Sequence, residues 1–400
     1  MNSIDANEKN YLFILSNDFG EIGVALYFIL GQSFVHRSTL LIPEKRFKKL
    51  QISGSFKVAS YNSLDDIISE IDNTNPAVVF LFSGYLFQQV LPLSSFKKLI
   101  NYIEANNGLI ATTDPLLGLI MRLEVSMVDV DLFFKKSPFA LMRLWHKLKT
   151  YFVIKKLAPY ARLLKNATHV YPHPIVNLQL PNYLKTASFF NEKILTHSVD
   201  NHCIEENDGA NRAMISTKKK WFFVISDIDL TIQSSLHGYN LFVELLSTKL
   251  NEAISLNIFP VLIAPSKLIK AISSKFDNEK LLLYSDCPYD KFSKLLVEAE
   301  YAFYWNMYSA SIITRILHKK SIFFFDKGHV SRILKPFGNL ALDCIYGGMN
   351  PIFLEIDQKL EINMLIEASK KSQAFASHVF NHWHGSPNPE NALISIISKS

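Results

Sequence analysis

Short, mostly apolar runs recur along the chain, the majority continuous rather than alternating, and stretches with helical spacing lie between them. In the first half the runs are Tyr11–Leu15, Thr39–Ile42, Phe56–Ala59, Ala77–Phe82, Leu109–Thr112 and His169–Tyr171. In the second they are Trp221–Ile225, Phe259–Ile263, Leu281–Tyr284, Tyr301–Trp305 and Ile322–Phe325. A strand covered on both faces, as in a parallel sheet, is apolar at nearly every position, and runs of three to six residues suit that reading. The intervening segments predict helices: Leu64–Ile71, Phe96–Asn106, Leu268–Phe276, and a helix whose Leu241, Phe242, Leu245, Leu246, Leu250 and Ala253 share one face. Such alternation predicts an α/β protein with doubly wound parallel sheets, in which ligands bind in the crevice beyond the carboxyl ends of the strands.

The pattern breaks twice. From Leu116 to Lys165 it becomes a long helical run in which aliphatics, Phe133, Phe134, Trp145, Tyr151 and Phe152 are interleaved with lysine and arginine. Apolar residues packed on a sheet beneath solvated lysines explain this texture, and an amphipathic surface for an anionic membrane through residues 133–165 is the competing reading. Between Lys185 and Lys220 the chain turns polar and reads as a connector. The expected organisation is therefore a first domain over 1–184, a connector over 185–220, a second domain over 221–360, and over 361–400 a helix packing across the domains with a tail. A length of 400 residues accommodates two such domains, each with its own core.

Composition narrows the function. A net charge of +6 favours anionic ligands but is too diffuse for a dedicated nucleic-acid binder. Cys203, Cys287 and Cys344 are far apart and form no C-x-x-C pair, which fits a reducing cytoplasm. The polar start MNSIDANEKN is unlike a signal peptide. The most apolar window, Pro76–Leu93, is interrupted by Ser83, Gly84, Gln88 and Gln89 and falls short of the roughly 20 apolar residues of a membrane span. A cytoplasmic protein, soluble or peripheral at the inner membrane face, is expected.

Candidate chemistry gathers at predicted strand ends. The stretch SNDFGEIG at Ser16–Gly23 follows the first strand and opens a helix; Gly20 and Gly23 permit close backbone approach, but the G-x-G-x-x-G dinucleotide fingerprint is missing. Glu21 and Asp18 are its carboxylates, and Glu21 in a first helical turn would also complement the helix dipole. In the second half, Cys287, Pro288 and Tyr289, then Ser309, Ala310 and Ser311, then Asp326, Lys327 and His329 follow three successive strands. Small hydroxyl residues opening a helix leave N–H groups for a diphosphate, or simply cap the helix. His378, His382 and His384 have no nearby carboxylate or cysteine, so packing is preferred and no metal site is expected.

Two Rossmann-like halves, the second with a progression of Cys-Pro, a helix, an aromatic strand, Ser-x-Ser and a further aromatic strand, resemble glycosyltransferases of the GT-B fold, in which two doubly wound Rossmann-like domains face a central cleft. The resemblance covers the whole chain as architecture, with its specific residues in Phe259–His329 and Ser16–Gly23. It implies transfer of a sugar from a nucleotide-sugar to a hydroxyl of a glycan, lipid-linked or other acceptor, without metal and without a resident cofactor. It places the donor on Ser226, Asp227, Cys287, Pro288, Tyr289, Ser309, Ala310, Ser311, Asp326, Lys327 and His329. The acceptor falls to Gly20, Asp114 and His173, and the general base to Glu21 or Asp18. The Glu-x7-Glu motif of many retaining members and the long signature of plant-type inverting members are both missing, so neither subgroup nor donor follows.

Three alternatives accompany this reading. One is a non-catalytic binding protein on the same scaffold, and another a sugar-nucleotide epimerase. The third rests on Asp227 and Asp229 in the apparent loop SDIDLTIQSSLHG, which resemble the first motif of haloacid-dehalogenase-type phosphatases. Only 20 positions separate Ser266 from Asp286, too few for that family's further strand-helix unit.

Overall fold

The computed structural model describes residues 9–16, 20–47, 55–113, 152, 155–172, 185–191, 219–277, 279–285, 287–325 and 341–398. The chain divides into two compact units. Unit 1 holds the described elements up to Asn191 together with the chain end from His382, and unit 2 those from Lys219 to Asn381.

Unit 1 is built on a seven-stranded sheet of β1 (Tyr11–Ile14), β2 (Ser38–Pro43), β3 (Lys57–Tyr61), β4 (Val78–Leu81), β5 (Leu109–Thr113), β6 (Thr168–Tyr171) and β7 (Lys185–Ser188). Every pairing is parallel and the order is β3-β2-β1-β4-β5-β6-β7. Its helices include α1 (Gly20–Ile29), the short α2 (Glu44–Phe47), α3 (Leu64–Thr74) and α4 (Leu93–Ala105). The central strands are apolar at every position because helices cover both faces. Phe13 stacks on Phe80 at 4.9 Å, and both are buried. Local signals set the ends of α3: the Ser63 hydroxyl accepts from Asp66 N, the Asp66 carboxylate accepts from Ser63 N, and Asn75 closes the helix in the left-handed region.

Residues 185–188 are an edge strand of unit 1, not the start of a connector. The segment KTAS lacks an apolar run because the residues after it are its main anchor. Phe189 is buried with its ring 4.2 Å from Phe28, and the Asn191 amide donates to Tyr27 O and Leu30 O.

Unit 2 carries β8 (Lys220–Val224), β9 (Phe259–Ile263), β10 (Leu282–Tyr284), β11 (Tyr301–Tyr304), β12 (Ser321–Phe325) and β13 (Ile352–Leu354) in the order β10-β9-β8-β11-β12-β13. All its pairs are parallel too. Its described helices include α5 (Asp227–His237), α6 (Tyr239–Ser255), α7 (Ser266–Ser273), α8 (Tyr289–Glu298), α9 (Ala310–Leu317) and α10 (Ile362–His384), whose last residues pass into unit 1, where α11 (Pro389–Ser398) follows. A ladder of rings, Trp221, Phe223, Phe303 and Phe325, fills one face of the sheet, with Phe223 and Phe303 stacked at 4.8 Å. Each such ring contributes about 2 to 3 kcal/mol by burial.

The segment read as the loop SDIDLTIQSSLHG is helix α5. Its polar residues hide the helical period, but Ser226 and Asp229 form a reciprocal capping box. On the opposite face, Arg315 of α9 is fully buried and donates to the carbonyls of Leu296, Ala299, Glu300 and Ser321 at 2.6 to 3.1 Å. Burial pulls its guanidinium down to about 10, against the opposing influence of Tyr304. It remains charged at neutral pH and ties the end of α8 to the start of β12.

Candidate functional site

In both sheets the strand order reverses at one pair: β1 beside β4 in unit 1, and β8 beside β11 in unit 2. Helices leave the two strands of such a pair toward opposite faces, which opens a crevice at their carboxyl ends. Most of the described candidates stand at these two places.

In unit 2, Ser226 and Asp227 follow β8, Ser309 to Ser311 follow β11, and Cys287 to Tyr289 follow β10. With neighbouring strands about 4.8 Å apart, β10 and β11 stand about 15 Å apart along one edge. The two helix N-termini at the crevice differ. The N-terminus of α5 is closed by its own side chains: Asp229 Oδ2 accepts from Ser226 N at 2.9 Å and from Ser226 Oγ at 2.7 Å, and Ser226 Oγ accepts from Asp229 N at 3.1 Å. Asp229 is only 3% exposed and its Oδ1 has no partner among the described residues. Burial pushes its carboxyl up to about 6, although the hydrogen bonds from Ser226 act in the opposite direction.

The N-terminus of α9 is open. Ser309 occupies the cap position, yet its hydroxyl caps nothing and pairs with Ser311 Oγ at 2.8 Å. The N–H groups of Ala310 and Ser311 meet no acceptor among the described residues. Asn306 Oδ1 accepts from Tyr308 N at 2.6 Å and shapes the turn into the helix. Tyr304, buried beneath it, has its phenol pushed up to about 12 by burial, with the Ser311 hydroxyl beside it. Two hydroxyls and the open N–H groups of Ala310 and Ser311, with Ile312 N already bonded to Ser309 O, form an electropositive end suited to an anion.

Cys287 is buried, and burial pushes its thiol up to about 12 against the pull of Lys291, so it stays protonated and shapes the wall before α8. Asp227 is exposed while Asp229 faces inward holding Ser226. The two aspartates therefore do not converge on one reacting atom as a phosphatase pair must.

In unit 1, Glu21 lies in the first turn of α1 and is 5% exposed. Its carboxylate accepts from Ser16 N at 2.8 Å and from Ser16 Oγ at 2.9 Å. Tyr61 OH donates to Leu15 O at 2.6 Å, and burial, then the Glu21 charge, hold this phenol well above its ordinary range. Gly20 begins α1. Asp18, Asp114, His173, Asp326, Lys327 and His329 lie outside the described residues, as does most of the basic segment 133–165.

Across the unit 1 crevice, Ser83 follows β4 in the left-handed region at φ 42° and ψ 55°. A non-glycine residue there costs about 1 kcal/mol or more. The turn is held by two threonines of β5: Thr113 Oγ1 accepts from Ser83 N at 2.9 Å and Thr112 Oγ1 from Gly84 N at 3.1 Å. A Cβ on Gly84 would stand 2.4 Å from Leu164 Cδ1, so glycine lets the turn press against that side chain. Ser83, Asn306 and Tyr304 stand at these places without a motif that marks them. For Ser83 the Ser-Gly dipeptide after a strand marks a turn and nothing more.

Among the described residues no group of three or more His, Cys, Asp and Glu gathers as a metal site, and no helix is long and apolar enough to cross a membrane.

No model of a protein family and no curated protein sequence matches the chain. Solved structures do. The Phytolacca americana UGT2 complexed with UDP-2fluoro-glucose and pterostilbene has a TM-score of 0.54 at 11% identity, over 98% of this chain and 99% of that one. The wall teichoic acid polymerase TagF has a TM-score of 0.51 at 13% identity, over 98% of this chain and 88% of that one. A protein from Listeria monocytogenes described as a UDP-N-acetylglucosamine 2-epimerase has a TM-score of 0.50 at 11% identity, over 97% and 94%. At such identities the likeness is one of fold: this chain has the architecture of two Rossmann-like α/β units found in the GT-B glycosyltransferases, with the subgroup unassigned.

Proposed function

We propose that the protein transfers a sugar from a nucleotide-sugar held by unit 2 to a hydroxyl of a glycan, lipid-linked or other acceptor held by unit 1, without a metal. The observation that carries this reading is the open N-terminus of α9, where Ser309 and Ser311 pair with each other instead of capping the helix. A helix end with free N–H groups and two hydroxyls offers its donors to a diphosphate. The fold supports the same assignment, since the Phytolacca protein is complexed with a UDP-sugar compound.

In the proposed reaction the acceptor hydroxyl gives its proton to Ser16 Oγ as Ser16 gives its own to Glu21. The acceptor oxygen forms the new bond to the anomeric carbon, and the bond from that carbon to the diphosphate oxygen breaks. The electron pair leaves with the diphosphate, whose charge the first turn of α9 stabilises. Ser16 touches the acceptor and Glu21 acts through it.

Calorimetric titration with the mono- and diphosphates of uridine, cytidine, guanosine and thymidine tests the donor half. At least one is expected to bind, and no binding by any of them would sink the assignment. The shared fold of the Listeria protein favours epimerisation as a second reading. Incubation with UDP-N-acetylglucosamine alone separates the two, because an epimerase alters that sugar with no acceptor present.

A further inference from the structure

We propose that Ser83 is an acceptor-contacting residue: its hydroxyl, held at the carboxyl end of β4, hydrogen-bonds a hydroxyl of a carbohydrate bound in the crevice between β1 and β4. This rests on the transferase reading only in naming the bound carbohydrate as the acceptor.

Backbone conformation comes first. Five non-glycine residues among those described have positive φ: Asn75, Ser83, Asn107, Asn257 and Lys319. Four of them follow the ends of helices α3, α4, α6 and α9, where the left-handed residue terminates a helix and asparagine is the common choice. Ser83 alone follows a strand, and serine has no special tolerance for that conformation. Strain of this kind persists where the surroundings over-determine it, and it concentrates at functional positions. The threonine pair and the close approach at Gly84 supply that over-determination.

The second observation is what the turn does with the hydroxyl. Ser83 is 4% exposed, and its side chain enters no hydrogen bond among the described residues, although its N–H and carbonyl are both paired. The third is position. Phe82 N donates to Ile14 O at 3.0 Å, which carries the β1–β4 ladder one step past the strands. Ser16 and Ser83 stand just beyond the ends of these two neighbouring strands. Ser16 donates its hydroxyl hydrogen to Glu21, so its oxygen is left to accept. Ser83 is free to donate and accept. One acceptor and one adaptable hydroxyl at the ends of neighbouring strands, with no net charge on either, match the hydroxyls of a neutral sugar better than an anion or an apolar compound.

Two variants separate the hydroxyl from the strain. Ser83→Gly removes both, and Ser83→Ala removes the hydroxyl alone. Each is examined by thermal unfolding, by uridine diphosphate titration, and by saturation-transfer NMR against a panel of methyl hexopyranosides. We expect Ser83→Gly to melt at or above the wild-type temperature. Donor affinity should hold in both variants, while glycoside binding falls about fivefold or more in both. The proposal is overturned if Ser83→Gly folds and binds every glycoside as wild type does, or if no glycoside binds the wild-type protein. If uridine diphosphate fails to bind but the glycoside loss is seen, the transferase reading falls and the carbohydrate site stands. If uridine diphosphate binds and the glycoside loss is absent, the reverse holds.

Discussion

The crevice of unit 1 and the crevice of unit 2 start from the same local plan and finish with different chemistry. Each opens with a strand, a serine at its end, and a buried carboxylate from the first turn of the next helix that accepts from that serine's N–H and hydroxyl. In unit 1 Ser16 meets both oxygens of Glu21; in unit 2 Ser226 takes one oxygen of Asp229 and leaves the other bare. On the far side, unit 1 presents the strained Ser83, and unit 2 the uncapped turn of α9. On the proposed reading, one Rossmann-like unit takes neutral hydroxyls and the other an anion. A shared fold sets where ligands go, while a few side chains at the switch point set what they are.

The comparison breaks most readily at Arg315, which has no buried arginine as counterpart among the described residues of unit 1. Replacing it by methionine leaves four carbonyls without donors. We expect a loss of about 3 to 5 kcal/mol in denaturant unfolding of unit 2, with the unit 1 transition little changed.

The bare oxygen of Asp229 comes next. Its folded carboxyl sits near 6 against 3.8 for the free group, so the folded state binds the extra proton between these values. Stability is then greater at acid pH, falls as pH rises from about 4 to 6, and stays lower above that, by on the order of 3 kcal/mol. Asp229→Asn should flatten this slope in urea midpoints taken from pH 4 to 7. A slope that persists would remove the contrast with Glu21.

Glu21→Gln sharpens the chemical side. With the proton route through Ser16 cut, sugar transfer should fall about a hundredfold while calorimetric uridine diphosphate affinity holds. Unchanged transfer would reduce Glu21 to a cap of α1. The smallest effect is expected from the double change Ser309→Ala and Ser311→Ala, which keeps the helix N–H groups and removes two hydroxyls. Uridine diphosphate should bind about tenfold more weakly, read by titration at fixed ionic strength.

Much of this was legible in the order of residues. Central strands such as Phe259–Ile263 are apolar throughout because both faces are covered, and the run alone locates them. Lys185–Ser188 was not legible, since an edge strand anchored by the adjoining Phe189 and Asn191 carries no run of its own. Helix α5 escaped because Ser, Asp, Thr and Gln mask its period, although the Ser226-x-x-Asp229 box was open to reading. At the candidate site, Glu21 and Ser309–Ser311 could be found from strand-to-helix junctions. That Ser16 donates to both oxygens of Glu21, that Ser309 declines to cap, and that Ser83 is left-handed depend on backbone torsion and, for Ser83, on β5, which lies some thirty positions away.

The grip of Arg315 has a consequence for how this fold drifts. A guanidinium that binds only main-chain carbonyls reads the path of the backbone and is blind to the side chains along it. Where residues 296 to 300 and the entry to β12 change, the guanidinium still holds the same carbonyls, provided buried positions such as Leu296, Ala299 and Ser321 keep their packing. An anchor of this kind lets the loops above it be rewritten, which is one physical route by which a chain can keep the shape of the Phytolacca protein while sharing 11% of its residues.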